Sequence, residues 1–270
     1  MSIVPQAVRR EAASISLFAT PEALEPSPAH APLAALDLSN LRPIAAGNDR
    51  VVYQHPHEAS LLVKVVDEDE WDAYMRSKPL RRWRKRFQRE GAYRNHIAEL
   101  AEYAAAQNAA AGRWKVPMAR VLGMVQTSHG LGLLVEKITD GEDGLAPTVE
   151  QIVRDKGLDE ALARELDYFF DALADHHIIL NDVSARNVVV GANADGEMGL
   201  YLIDGFGSKQ AIPVFAWSKA LNRRRIQRKY QAMLTKLRAR SRAASASNEM
   251  EQGKEREAPS YAGKGQAPGA

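Results

Sequence analysis

Apolar positions change their period twice along the chain. Between residues 41 and 66 they fall in short β-rich runs at 41–46, 50–54 and 60–66, separated by Gly47-Asn48-Asp49 and by His55-Pro56-His57-Glu58. Glycine, proline and Asx residues punctuate strands in this way, so the stretch predicts a three-strand antiparallel meander. From Arg89 to Ala104 the spacing lengthens to three and four, with Glu90, Tyr93, Ile97, Leu100 and Ala104 in phase. That phase predicts a helix with Glu90 on its inward stripe. Two further apolar runs, 116–127 and 131–138, flank Ser128-His129-Gly130 and predict a second hairpin. Beyond a loop at 140–147 the pattern turns helical, and Leu162, Leu166, Phe169, Phe170 and Leu173 make an amphipathic stripe that ends near His176-His177. Short strands at 188–190 and 199–203 flank a turn containing Asp195-Gly196. Ile226, Tyr230, Met233 and Leu237 set the last helix.

Both ends differ from this middle. Residues 1–38 hold five prolines and no sustained period, and the stretch from about Ala243 is rich in Ser, Gly, Glu, Lys and Pro. Such segments bury too little apolar surface to offset chain entropy, so disorder is expected at 1–38 and 239–270, with a folded unit at 39–238. The whole chain has 270 residues, 45% hydrophobic and 26% charged, which excludes collagenous, fully disordered and membrane-spanning classes. There is no cysteine. Disulfides and thiolate chemistry are excluded, a reducing compartment fits, and a cytoplasmic location is expected because no signal-peptide pattern occurs in the lead-in.

The formal charge of +2 conceals two blocks: eight Lys or Arg in residues 76–89 and ten in residues 219–242, with no acid in either. Basic blocks attract phosphates, anionic glycolipids, nucleic acid or acidic partners, or simply solvate a helix face. On the helix at 219–237 the bases surround the apolar stripe, a pattern suited to a protein partner or a membrane surface. Trp83 and Phe87 are too few aromatics for a stacking platform, so a nucleic-acid partner is not expected.

The chemistry is concentrated at 182–187 and 204–207. Asp182-Val183-Ser184-Ala185-Arg186-Asn187 places an Asp and an Asn five residues apart on a loop, and the following hairpin returns a second acid in Asp204-Gly205-Phe206-Gly207. A base for a hydroxyl and two oxygen ligands for magnesium on a triphosphate are the needs of phosphoryl transfer. Lys64 lies in the apolar run Leu61-Leu62-Val63-Lys64-Val65-Val66. A charge there requires a partner, and Glu90 is the expected one.

In the order of these elements the chain resembles protein kinases, with residues 182–187 similar to the catalytic loop Asp-x-x-x-x-Asn and residues 204–207 to Asp-Phe-Gly with one residue inserted. It resembles more closely the PhoP-regulatory-network YrbL family, through residues 47–50, Tyr53, His55, Pro56, Arg89, Glu90, Tyr93, His96, Trp217, Ser218 and Lys219. The resemblance implies an α+β, bilobal protein-kinase-like fold: an N-lobe at 39–138 with a five-stranded antiparallel sheet and one helix, and a small, truncated, mainly helical C-lobe at 139–238. It implies ATP and Mg2+ as cofactors, Asp182 as the base, Asn187 and Asp204 as metal ligands, and Lys64 on the phosphates. Gly47 would lie in the phosphate-covering loop, and Glu136 to Ile138 would form the adenine-binding hinge.

Departures from the pattern open a second reading. Asp182 follows Leu180-Asn181 rather than His-Arg, so control by phosphorylation of an activation segment is not expected. Ser184 stands where a lysine usually neutralises the transferred group, and Arg186 is placed to supply that charge. One glycine remains in the phosphate loop. With 63 residues after Gly207 there is too little chain for a protein-substrate platform. The expectation is a phosphotransferase acting on an unknown acceptor, an anionic glycolipid or a small molecule. The alternative is a pseudokinase that binds nucleotide or partners without turnover.

Overall fold

Short turns and strict alternation build the first layer. The computed structural model describes residues 34–47, 50–77, 89–208 and 214–257. Strands β1 (Ala45–Ala46), β2 (Arg50–Gln54), β3 (Leu61–Val66), β4 (Val121–Thr127) and β5 (Gly130–Glu136) form one antiparallel sheet in the order β1-β2-β3-β5-β4. Side chains alternate across a pleated strand. Val63 and Val65 therefore share one face of β3 with Tyr53 and Leu38, while Lys64, paired across the sheet with Val52 and Leu133, points the other way. That register decides which face carries charge.

The outer face is covered by the segment just before β1. The Leu36 N–H donates to the Gln126 carbonyl at 2.8 Å, the Leu38 N–H donates to Ser128 Oγ at 2.9 Å, and Leu38 is fully buried. Ordered structure thus starts before residue 39, because the outer sheet face needs an apolar cover. Residues 1–33 lie outside the described residues, as do 78–88, which hold most of the first basic block.

Among the described residues two helices precede β4. α1 (Glu68–Ser77), not foreseen from periodicity, starts where Asp67 accepts from the Glu70 N–H at 3.1 Å and carries three acids in its first turn, a favourable arrangement at the positive end of a helix. α2 (Arg94–Ala110) follows a 3-10 turn at Gly91–Tyr93. Its buried residues are His96, Glu99, Ala106 and Ala110, whereas Ile97 is 44% exposed. The inward stripe is rotated from the expected one, because the face that meets the sheet carries a histidine and a glutamate.

The second layer is helical and contains α3 (Val149–Lys156), α4 (Glu160–Asp175), the short α5 (Val214–Trp217) and α6 (Lys219–Glu257), beside a hairpin of β6 (Val188–Ala192) and β7 (Met198–Leu202). Thr148 and Gln151 close a reciprocal cap on α3, and Asp159 caps α4. Leu166, Phe169, Phe170 and Leu173 of α4 pack with Ile226, Tyr230, Leu234 and Leu237 of α6 in one core. The Phe170 and Tyr230 rings stack at 4.6 Å, and the Tyr230 hydroxyl donates to Asp167 at 2.5 Å. From Ala35 onward the described residues form one compact unit.

The second basic block is partly consumed inside this layer. Arg223 pairs with Asp175 and, at 3.6 Å, with Asp171, while Arg240 pairs with Glu150. α6 also runs past the expected boundary at 238 to Glu257. Alanine, arginine, glutamate and glutamine sustain a helix there, and no proline intervenes before Pro259.

Candidate functional site

The hairpin sets the site. Its register pairs Val188 with Leu202, and the Ile203 N–H donates to the Asn187 carbonyl at 2.9 Å, so Asp204 emerges directly beside Asn187. The loop that precedes the hairpin is stitched to the loop that follows it: the Asn181 and Asp182 N–H groups both donate to the Gly205 carbonyl, at 2.7 and 2.9 Å. Asn187 Nδ2 in turn donates to Asp182 Oδ2 at 3.2 Å. A side chain at Gly205 would put its Cβ 2.4 Å from Asn187 Nδ2 and 2.5 Å from the Asp182 carbonyl, at a φ of +81°. The residue inserted into the Asp-Phe-Gly pattern is therefore one that only glycine can fill. At Gly207 a Cβ would lie 2.4 Å from the Ala98 carbonyl, so this glycine lets the loop press against α2.

Lys64 reaches the same place from the sheet. Its ammonium donates to the Ile203 carbonyl at 2.7 Å and to Glu99 at 3.1 Å. Glu99, 2% exposed, is the partner that Glu90 was expected to be. Glu90 is exposed and precedes the 3-10 turn, one element too early to face β3. The expected phase was set by apolar residues, and the buried acid is out of step with it.

Arg50, at the start of β2, completes the cluster. The buried guanidinium donates through Nη1 to Glu99 and through Nη2 to both carboxylate oxygens of Asp204 at 2.7 Å. Burial works to raise the Asp204 carboxyl, but Lys64 and Arg50 together with the Gly205 N–H hold it well below the usual carboxylate range. Burial pushes Glu99 upward, and Asp204 adds to this against the pull of Lys64 and Arg50. His96, fully enclosed one turn before Glu99, is lowered to about 3 by burial first and by Arg50 and Lys64 next. It stays neutral, so the cluster sets two cations against two carboxyl groups.

Arg50, Lys64 and Asp204 line a cleft of about 1630 Å³ between the sheet and the helical layer. Ile44, Val52, Leu62, Ile138, Leu145 and Val189 give it an apolar wall, while Lys64, Arg50, Asp182, Asn187 and Asp204 form its polar floor. Gly47 lies on the rim, where its N–H donates to the Arg50 carbonyl at 2.8 Å, and a Cβ there would meet only ordinary contact. The expected hinge residues Glu136 and Ile138 also line the cleft. The Glu136 and Lys137 N–H groups are already given to the Arg120 and Ser60 carbonyls at 2.9 and 2.8 Å. The buried Glu136 carboxylate accepts from the Arg120 and Ala194 N–H groups at 3.0 and 2.8 Å, tying the sheet to the β6–β7 turn.

Arg186 is present at the cleft, exposed, with Nε 3.9 Å from Glu150. A second cation that periodicity concealed stands nearby. Lys229 of α6 donates to the Asn181 carbonyl at 2.7 Å, beside Asp182. Burial and Arg225 lower its pKa, and Asp182 pulls the other way. Ser218 opens α6 by accepting from the Asn222 N–H through its carbonyl at 3.0 Å, and buried Asn222 donates to the Ile178 carbonyl at 2.9 Å, which fixes the helix under the loop.

A five-stranded antiparallel sheet with an inward lysine paired to a helix glutamate, above a helical layer whose two loops flank a hairpin, makes an α+β fold. The family model for PhoP regulatory network protein YrbL matches residues 36–238. The chain belongs to that family. Among solved structures it is similar to Rad53 residues 1–466 in complex with AMP-PNP, at 12% identity and a TM-score of 0.36, over 61% of this chain and 36% of that one. No curated protein sequence matches the chain. Among the described residues no helix is long and apolar enough to cross a membrane.

Proposed function

We propose that the cleft binds ATP with magnesium and transfers the γ-phosphoryl group to a hydroxyl of an acceptor. The observation that carries this reading is the convergence of Lys64, Asp182, Asn187 and Asp204, from three separate segments, on one cleft. Asn187 and Asp204 present oxygens of the kind that hold magnesium when phosphates supply the remaining ligands. Bound there, the metal would neutralise charge on the triphosphate. Lys64, fixed by Glu99 and the Ile203 carbonyl, would hold the phosphates from the sheet side. Asp182 would take the proton of the acceptor hydroxyl as its oxygen bonds to the γ-phosphorus and the bond to the ADP oxygen breaks. The Ile44, Val52 and Leu145 wall suits an adenine ring. The exposed Arg186 and the Lys229 side of α6 favour an anionic acceptor.

A pseudokinase is the second reading, favoured by one observation: Arg50 already grips both oxygens of Asp204. Two measurements separate the readings. Magnesium and ATP together are expected to raise the melting temperature, as any ligand of the native state does, and phosphate is expected to be released from labelled ATP. Asp182→Asn should retain that thermal shift and lower turnover by about a hundredfold or more. A shift without turnover in the wild type would select the pseudokinase, and turnover that survives Asp182→Asn would remove Asp182 as the base.

A further inference from the structure

We infer that the Arg50 guanidinium and a divalent cation are alternative occupants of one site on Asp204, so that Arg50 is the built-in counter-cation of Asp204 and must release it before metal binds. The inference deepens the phosphotransferase reading and rests on it for its purpose, although not for its test.

Three observations carry it. First, the guanidinium is divided between two acids. Nη1 is held by Glu99, deep under the sheet, and Nη2 by the two oxygens of Asp204, whose side chain is 36% exposed towards the cleft. A cation arriving from solvent meets Asp204 first, and Arg50 can give up that end while keeping Glu99. Second, Arg50 takes both carboxylate oxygens at 2.7 Å, the same donor atoms a metal would need, and a dication and a guanidinium on one carboxylate repel each other. Third, Asp204 already has a counter-cation in Arg50, with Lys64 close behind it on Glu99. A lone dication therefore meets an Asp204 whose charge Arg50 already offsets, and brings no negative charge of its own. A triphosphate brings that charge, and its oxygens offer Arg50 a replacement for Asp204. The backbone of Arg50 is pinned by its carbonyl to the Gly47 N–H at 2.8 Å, so the exchange needs only a side-chain movement.

The test is Mn2+ binding to the full chain without nucleotide, followed by the electron paramagnetic resonance signal of free Mn2+. Arg50→Gln should tighten Mn2+ binding by about tenfold or more, the worth of a charge-assisted bidentate contact. Arg50→Lys, which keeps the charge and loses the fork, should fall between Arg50→Gln and the wild type. The gain should vanish in Arg50→Gln combined with Asp204→Asn. Unchanged or weaker Mn2+ binding in folded Arg50→Gln, no binding by either protein, or a gain that survives loss of Asp204 would each overturn the inference. None of these results depends on turnover, so the proposed reaction stands or falls separately.

Discussion

Glu99 is the residue on which the interior of the site rests. It lies fully packed between Lys64 and Arg50, and a buried cation that loses a partner is left with an uncompensated part of its desolvation cost. Glu99→Gln should lower unfolding free energy by roughly 3 kcal/mol, measured by chemical denaturation, whereas Glu90→Gln at an exposed turn should stay within about 0.5 kcal/mol. Equal effects at the two positions would mean that the ion cluster contributes nothing to folding. Glu102, one turn further along α2, makes a second residue-scale prediction. Its carboxylate accepts from the Ile179 N–H at 2.7 Å, yet burial outweighs that bond and raises its pKa from 4.5 to about 7. The native state then holds a proton that the unfolded chain releases, so Glu102 leaves stability intact below about pH 4.5 and lowers it as pH rises through about 7. Glu102→Gln keeps an acceptor for Ile179 and cannot ionise. The variant should match the wild type near pH 4.5 and exceed it above pH 7, as read from denaturation midpoints across that range.

At the scale of elements, α6 braces the 181–187 loop from below. Met233, Leu234 and Leu237 are buried against α4, Lys229 holds the Asn181 carbonyl, and one further turn brings Arg240 to Glu150 and Ser241 Oγ to the Leu158 N–H at 2.9 Å. A chain ending at residue 243 keeps each of these contacts and should keep its melting temperature within a few degrees. One ending at residue 232 loses three buried apolar side chains, each worth about 1.5–3 kcal/mol, and should unfold or melt far lower. Calorimetry of the two truncations decides it. If they melted alike, α6 would not be part of the core.

Across the whole molecule, the meander, the second hairpin, the α4 stripe and the β6–β7 hairpin were legible in the sequence, because each is a local pattern of two- or three-to-four-residue period. Asp182, Asn187 and Asp204 were legible for a related reason: a short hairpin leaves few ways to place its ends, so spacing along the chain becomes proximity in space. Where periodicity counted only apolar residues it misplaced the interior. α2 turns His96 and Glu99 inward, and a reading that seeks hydrophobic stripes chooses the wrong phase. Arg50 sat in the resemblance to the YrbL family without a role, since nothing local marks an arginine at the start of β2 as the partner of an acid 154 positions away.

The sequence by itself determined the order and kind of most elements and the loop that brings Asp182 beside Asn187, since backbone preference, turn residues and burial period act over a few residues at a time. Only the tertiary structure decided which charges meet. Pairing Lys64 with Glu99 and Asp204 with Arg50 depends on the register of β3 against β5 and the rotation of α2 over the sheet. Ion pairing is set by distance and burial, and neither is encoded by separation along the chain.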